Sequence, residues 1–138
     1  MNFVLDASIA LAFCFSDEAT TETEILLDQL KTDVAIVPAH FGLELGNVLM
    51  GAERRKRITE KQIAEFLFLL EEINIQVDSE TAERSFHDIL LLAHSEKLTT
   101  YDAAYLELAL RLKIPLATKD KLLQKAAKNK HIALLVTK

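Results

Sequence analysis

The 138-residue chain is half hydrophobic, with three Gly and two Pro, which excludes long disordered linkers and leaves enough apolar residues for one packed domain. Its single cysteine, Cys14, excludes an intrachain disulfide, and no apolar run approaches the length of a membrane span. No basic segment precedes the first apolar run, so a cytoplasmic protein without a signal peptide or membrane contact is expected.

The net charge of −5 is unevenly spread. Between Met1 and Glu53 the only basic side chain is Lys31, whereas the stretch from Arg111 to Lys138 carries eight Lys or Arg against Asp120 alone. A local field of that kind draws a polyanion to an acidic protein, and a solvated basic helix accounts for the same lysines.

In chain order, residues 2–5 (NFVL) read as a short buried strand. Asp6 then places a carboxylate at its end, just before the apolar run of residues 9–13. An ionised carboxylate so near a core is costly unless something pairs with it. Residues 20–30 follow amphipathic helical spacing, and residues 34–37 form a second strand. Pro38 suits the first turn of the helix carrying FGLELGNVLMGAERRKR. Thr59 with Gln62 resembles a capping box opening TEKQIAEFLFLLEEI, where five successive apolar residues, 66–70, cover more than one helix face. Residues 73–77 form a third strand. Asp78 or Ser79 caps a helix running to Lys97, and Thr100 caps a helix over residues 101–113. Residues 115–118 and 132–136 form the last strands, on either side of a helix, DKLLQKAAKNK, that Asp120 opens. Short Val- and Ile-rich strands alternating with helices predict an α/β fold in one domain over residues 1–138, a mainly parallel sheet of four or five strands flanked by helices. In such a sheet a ligand site lies beyond the carboxyl ends of the strands, where Asp6 and Asp120 both fall.

Each of three acids has a local explanation. Asp6 and Asp120 precede helices, as N-caps do, and Asp102 in TTYDAAY sits in a first turn where a carboxylate meets the helix dipole. Glu44 is different: Leu43 and Leu45 flank it on a mostly apolar helix, and Asn47 shares its face. That stripe is either a solvated ridge or an inward polar patch. Converging carboxylates repel and raise one another's pKa, and oxygen-rich clusters suit Mg²⁺ or Mn²⁺. A bound divalent ion is one answer to what pairs with Asp6.

VLDAS, ELGN with Glu44 and Asn47, TTYDAAY with Asp102 and IPLATKD with Asp120 together resemble the PIN-domain ribonucleases, and among them the VapC-type toxins of prokaryotic toxin–antitoxin pairs. The resemblance spans residues 2–130, with the order and spacing of all four acids. It implies a single PIN-like domain and an Mg²⁺- or Mn²⁺-dependent endoribonuclease whose catalytic and metal-holding residues are Asp6, Glu44, Asp102 and Asp120. Ser8 and Thr118 match hydroxyl positions beside the carboxylates, and Asn47 matches a position supporting the acidic centre. On this reading Asp6 and Asp102 hold the metal, Glu44 positions it or takes a proton from the attacking water, and Asp120 meets it directly or through water. The likeness further implies a cognate antitoxin and a homodimer. Lys119 departs from it, standing where many relatives have an apolar residue.

Arg54 and Arg55 end a helix, where basic residues favour the dipole; beside an acidic centre they could equally hold RNA phosphates, as could Lys119, Lys125 and Lys128. The apolar helix of residues 66–70, with residues 9–15, is expected to be an internal helix or to line a groove for an antitoxin segment. The alternative function is a noncatalytic PIN-fold module binding RNA or protein, its acids merely capping elements. His87 and His94 lack zinc-site spacing, and the glycines, all within one helix, form no phosphate loop. His40, Tyr101 and Tyr105 are expected in local or core packing roles.

Overall fold

The structure, a computed structural model, describes residues 1–136. Four strands, β1 (Asn2–Leu5), β2 (Val34–Val37), β3 (Ile75–Val77) and β4 (Leu116–Ala117), form a parallel sheet in the order β3-β2-β1-β4. Phe3, Val4 and Leu5 are fully buried, as a continuous apolar run requires when helices cover both faces of its strand. Val4 pairs with Ile36 on one side and Leu116 on the other, so β1 is central. The chain leaves β1 for β2 and β3, then returns to place β4 on the opposite flank. The switch point of the sheet therefore lies between the carboxyl ends of β1 and β4.

The helices are α1 (Ala7–Cys14), α2 (Thr21–Gln29), α3 (Phe41–Arg54), α4 (Glu60–Glu72), α5 (Thr81–Arg84), α6 (Asp88–Glu96), α7 (Thr100–Leu112) and α8 (Lys121–Asn129), with a 3₁₀ turn at Ser16–Glu18. The innermost is α7, every residue from Ala103 to Ala109 being buried. On α3 the buried positions Phe41, Leu45, Leu49 and Ala52 mark one face, leaving Leu43, Glu44 and Asn47 off the core. Among the described residues no helix is long and apolar enough to cross a membrane.

The expected capping box is present: Thr59 Oγ1 accepts from the Gln62 N–H, and Gln62 Oε1 accepts from the Thr59 N–H. Five expectations are corrected. Neither Asp78 nor Ser79 is the N-cap of the helix after β3, a position held by Glu80, whose side chain makes no cap bond. Pro38 precedes α3 in a turn closed by Phe41 N–H to Pro38 O (3.1 Å), with His40 as N-cap. The cap of α7 is Thr99, whose hydroxyl accepts from the Asp102 N–H at 3.1 Å, one position before Thr100. The helix expected to run to Lys97 breaks at residues 85–87. There Ser85 Oγ donates back to Thr81 O (3.0 Å) and His87 leaves helical dihedrals, while Arg84 bridges the break to Glu80 and Asp88. Residues 132–136 make an isolated bridge, Leu134 to Leu116, since β4 offers only two residues to pair with.

Candidate active site

Each of the four acids comes from a different element near the switch point. Asp6 follows β1, Glu44 lies in the first turn of α3, Asp102 in the first turn of α7, and Asp120 between β4 and α8. All four line one cavity of about 570 Å³, together with Ser8, Asn47, His40 and Tyr101. The two strand ends alone would not achieve this. The first turns of α3 and α7 add Glu44 and Asp102 to the same cavity.

Asp6 occupies the N-cap position of α1, yet its side chain caps nothing. Its Oδ2 instead accepts from Ser8 Oγ at 2.7 Å and from Thr118 Oγ1 at 2.6 Å. The direction of both protons is determined by the backbone. The Lys119 N–H donates to Ser8 Oγ (2.9 Å) and the Asp120 N–H to Thr118 Oγ1 (3.1 Å), so each hydroxyl's own proton is left for Asp6. Two hydroxyls of the chain's own side chains therefore pair with Asp6 Oδ2. They do not compensate it fully. Burial pushes the Asp6 carboxyl up to about 6 against the lowering pull of Thr118 and Ser8, and the Asp102 and Glu44 charges add to the rise.

Glu44 is half-buried, and its Oε1 accepts from Tyr105 Oη at 2.6 Å. His40 Nε2 lies 3.2 Å from the same oxygen and 3.1 Å from the Tyr101 carbonyl. Both neighbours are acceptors, so Nε2 carries the proton. Burial alone would lower the His40 pKa, but the Glu44 carboxylate and the Tyr101 carbonyl raise it overall. The inward patch, not the solvated ridge, describes Glu44. Asn47 lines the cavity from the next turn of α3, exposed.

For Asp102 burial raises the carboxyl pKa, and the Asp120 and Glu44 charges raise it further against Thr99 and His40. Asp120 does cap α8: its Oδ1 accepts from the Leu123 N–H at 2.9 Å. Among the described residues, the second oxygens of Asp6, Glu44 and Asp120 accept no hydrogen bond.

Among the described residues no Lys or Arg lines the cavity, and its acidic oxygens come from four carboxylates, beside Ser8, Asn47 and His40. Among the described residues no three His, Cys, Asp or Glu side chains stand close enough to cage a metal ion. Mg²⁺ asks for no such cage, since it keeps several waters and takes one or two carboxylates directly. The residues present fit a hydrated, hard divalent cation.

The basic residues expected at RNA lie outside this lining. Arg54, Arg55, Lys125 and Lys128 are exposed, whereas Lys119 is partly buried and its ammonium donates to the Glu18 carbonyl at 2.6 Å. His40 and Tyr105 carry site geometry beyond the local structural role expected of His40 and the core packing expected of Tyr105. Their spacing was the available signal: His40 stands four residues before Glu44 and Tyr105 three after Asp102, each one helical turn from an acid.

Two solved structures share this fold. PAE2754 from Pyrobaculum aerophilum superposes with a TM-score of 0.70 at 21% identity, covering 97% of this chain and 83% of that one. VapBC2 from Rickettsia felis, bound to a DNA fragment from their promoter, gives a TM-score of 0.69 at 13% identity, covering 97% of both chains. No curated protein sequence matches the chain. The sequence pattern of the PIN domain matches residues 3–129, which contain every residue of the carboxylate cavity, and the chain thus belongs to the PIN domain family.

Proposed function

We propose that the protein is an Mg²⁺- or Mn²⁺-dependent endoribonuclease, the toxin of a type II toxin–antitoxin module, acting in the cytoplasm. The observation that carries this reading is the convergence of Asp6, Glu44, Asp102 and Asp120 on one cavity whose described lining contains no Lys or Arg. A divalent cation, when bound, offsets the charge of the phosphodiester and makes a water nucleophilic near neutral pH. The cation would rest on Asp6 and Asp102, with Glu44 and Asp120 completing the set.

Ser8 and Thr118 both hold Asp6 Oδ2, which leaves Oδ1 without a hydrogen bond among the described residues. Tyr105 and His40 hold Glu44 Oε1, leaving Oε2 to position the cation or to accept the proton of the attacking water. Asp120 keeps Oδ1 in its cap, and its Oδ2 is free to meet the cation. Arg54, Arg55, Lys125 and Lys128 are the proposed phosphate contacts along the bound RNA. The likeness to VapBC2 from Rickettsia felis supports an antitoxin as partner here. The exposed Leu67 and Phe68 of α4, beside α1, are its proposed seat. Family likeness also underlies a homodimer, which sedimentation of the purified protein tests.

The second reading, a noncatalytic RNA- or protein-binding module, draws on the absence of a ready metal cage among the described residues. Thermal melts with chelator and with Mn²⁺, paired with RNA cleavage assays, separate the two. Mn²⁺ stabilises the parent by mass action. The gain shrinks in Asp6→Asn and Asp102→Asn, and metal-dependent internal cuts disappear with it. Equal Mn²⁺ responses in parent and variants refute the shared site, and uncut RNA bound at unchanged affinity supports the binding module.

A further inference from the structure

Among the described residues, Lys119 differs from the other lysines of the C-terminal region in having a hydrogen-bond partner for both its backbone N–H and its ammonium. Its backbone N–H donates to Ser8 Oγ at 2.9 Å, at the start of α1. Its ammonium donates to the Glu18 carbonyl at 2.6 Å, on the 3₁₀ turn that follows α1. A charged donor at that distance makes one of the stronger hydrogen bonds available to a protein. Lys125 and Lys128, by contrast, are exposed on the outer face of α8.

The acceptor is itself held. Arg57 contacts the Glu18 carboxylate at 2.9 Å and Asp17 at 3.0 Å, and its guanidinium lies 3.9 Å over the Phe15 ring. Glu18 is therefore gripped through its carboxylate by one cation and through its carbonyl by another. A turn so fixed is a firm anchor for the segment that Lys119 belongs to.

That segment carries the rest of the Asp6 network. Thr118 donates its hydroxyl proton to Asp6, and the Asp120 N–H feeds Thr118 Oγ1. Lys119 stands between them and feeds Ser8. We infer that Lys119 is a positioning residue: its ammonium, anchored on the Glu18 carbonyl, keeps the loop between β4 and α8 seated against α1, so that both hydroxyls stay aimed at Asp6 Oδ2. An apolar side chain at this position would leave the loop tied to α1 through the Lys119 N–H on Ser8, with the Thr118 hydroxyl on Asp6 and the Gln124 amide on the Thr118 carbonyl, and without an anchor on the 3₁₀ turn. Only the catalytic consequence rests on the proposed metal site; the latch itself is a property of the metal-free protein.

The test compares Lys119→Met, which keeps the long stem and removes the donor, with Lys125→Met, which removes one exposed charge. Amide hydrogen exchange in chelator reads the latch directly. Exchange at the amides of residues 119 and 120 rises about tenfold in Lys119→Met and not in Lys125→Met, while amides of α7 keep the parent rate. The Mn²⁺ concentration for half-maximal thermal stabilisation rises several-fold in Lys119→Met alone, and the salt slope of RNA binding in chelator stays at the parent value. Unchanged exchange at 119 and 120 overturns the inference. So does a uniform rise in exchange across α7, which marks a merely structural residue, and so does a salt slope shallower by about one, which marks a phosphate contact. If the parent gives no Mn²⁺ response, the metal-site reading fails and the exchange measurement still decides the latch.

Discussion

Tyr105 and Glu44, sixty-one positions apart, share a 2.6 Å hydrogen bond from the phenolic hydroxyl to Oε1. Tyr105 is fully buried in α7, while Glu44 lines the carboxylate cavity, so the bond ties the orientation of a site residue to the packing of the core. Burial, with the Glu44 carboxylate adding, holds the phenol well above its usual pKa, so it remains a proton donor throughout the physiological range.

Tyr105→Phe keeps the packing and removes the donor. Glu44 retains His40 and solvent, so the expected loss of stability is about 1 kcal/mol. RNA cleavage slows by about tenfold or more, because Oε2 is no longer aimed, while RNA affinity in chelator stays unchanged. Denaturant melts and single-turnover cleavage check the pair of outcomes.

Asp6 makes the metal-free protein less stable as pH rises. Its folded pKa, about 6, lies above the ordinary 3.8, so between those values the folded state binds more protons than the unfolded state. The penalty is absent below 3.8 and complete above about 6, where it reaches about 3 kcal/mol at most. Asp102 acts in the same direction, and His40, whose pKa is raised, contributes stability that is lost as pH rises through its folded value. Asp78, lowered by the Arg111 and Thr81 hydrogen bonds despite its burial, opposes them only as pH falls below its ordinary value. Urea melts in chelator at about pH 4.5 and about pH 6.5 should show a smaller pH dependence in Asp6→Asn than in the parent.

Asp120 has a cap role and a proposed catalytic role, and two substitutions separate them. Asp120→Ala loses the bond to the Leu123 N–H and about 1 kcal/mol. Asp120→Asn caps nearly as well but removes the charge, so it should retain stability and lose cleavage. Cleavage at the parent rate in the Asn variant would leave Asp120 a cap and nothing more.

Lys125 and Lys128 are exposed on α8. Replacing both by Gln should weaken RNA binding across sequences and flatten its dependence on salt by about two in slope, with no effect on the Mn²⁺ response.

Phe68 is 64% exposed although it lies in the most apolar stretch of α4. Phe68→Asp should therefore leave the fold intact and weaken the antitoxin complex by about tenfold or more. Titration calorimetry with the cognate antitoxin measures it, and unchanged affinity moves the antitoxin elsewhere.

The parts of the fold determined by sequence alone are those held by short-range physics. β1 and β2 occupy the expected residues because a strand buried on both faces is an unbroken apolar run, and the Thr59–Gln62 cap closes within one turn. The order of the four acids was legible too, as a pattern distributed over local motifs. Tertiary structure decided what those acids do locally. Asp6 and Asp120 both precede helices and look alike in sequence, yet only Asp120 caps its helix. Asp6 is taken from that role by Ser8 and by Thr118, which lies 112 positions along the chain and reaches it only because β4 pairs beside β1. The Tyr105–Glu44 and Lys119–Glu18 bonds also join residues far apart in sequence. Side-chain periodicity says which face of an element is buried, but the donor that meets an acceptor across two elements is chosen by how those elements pack, and no local rule contains that information.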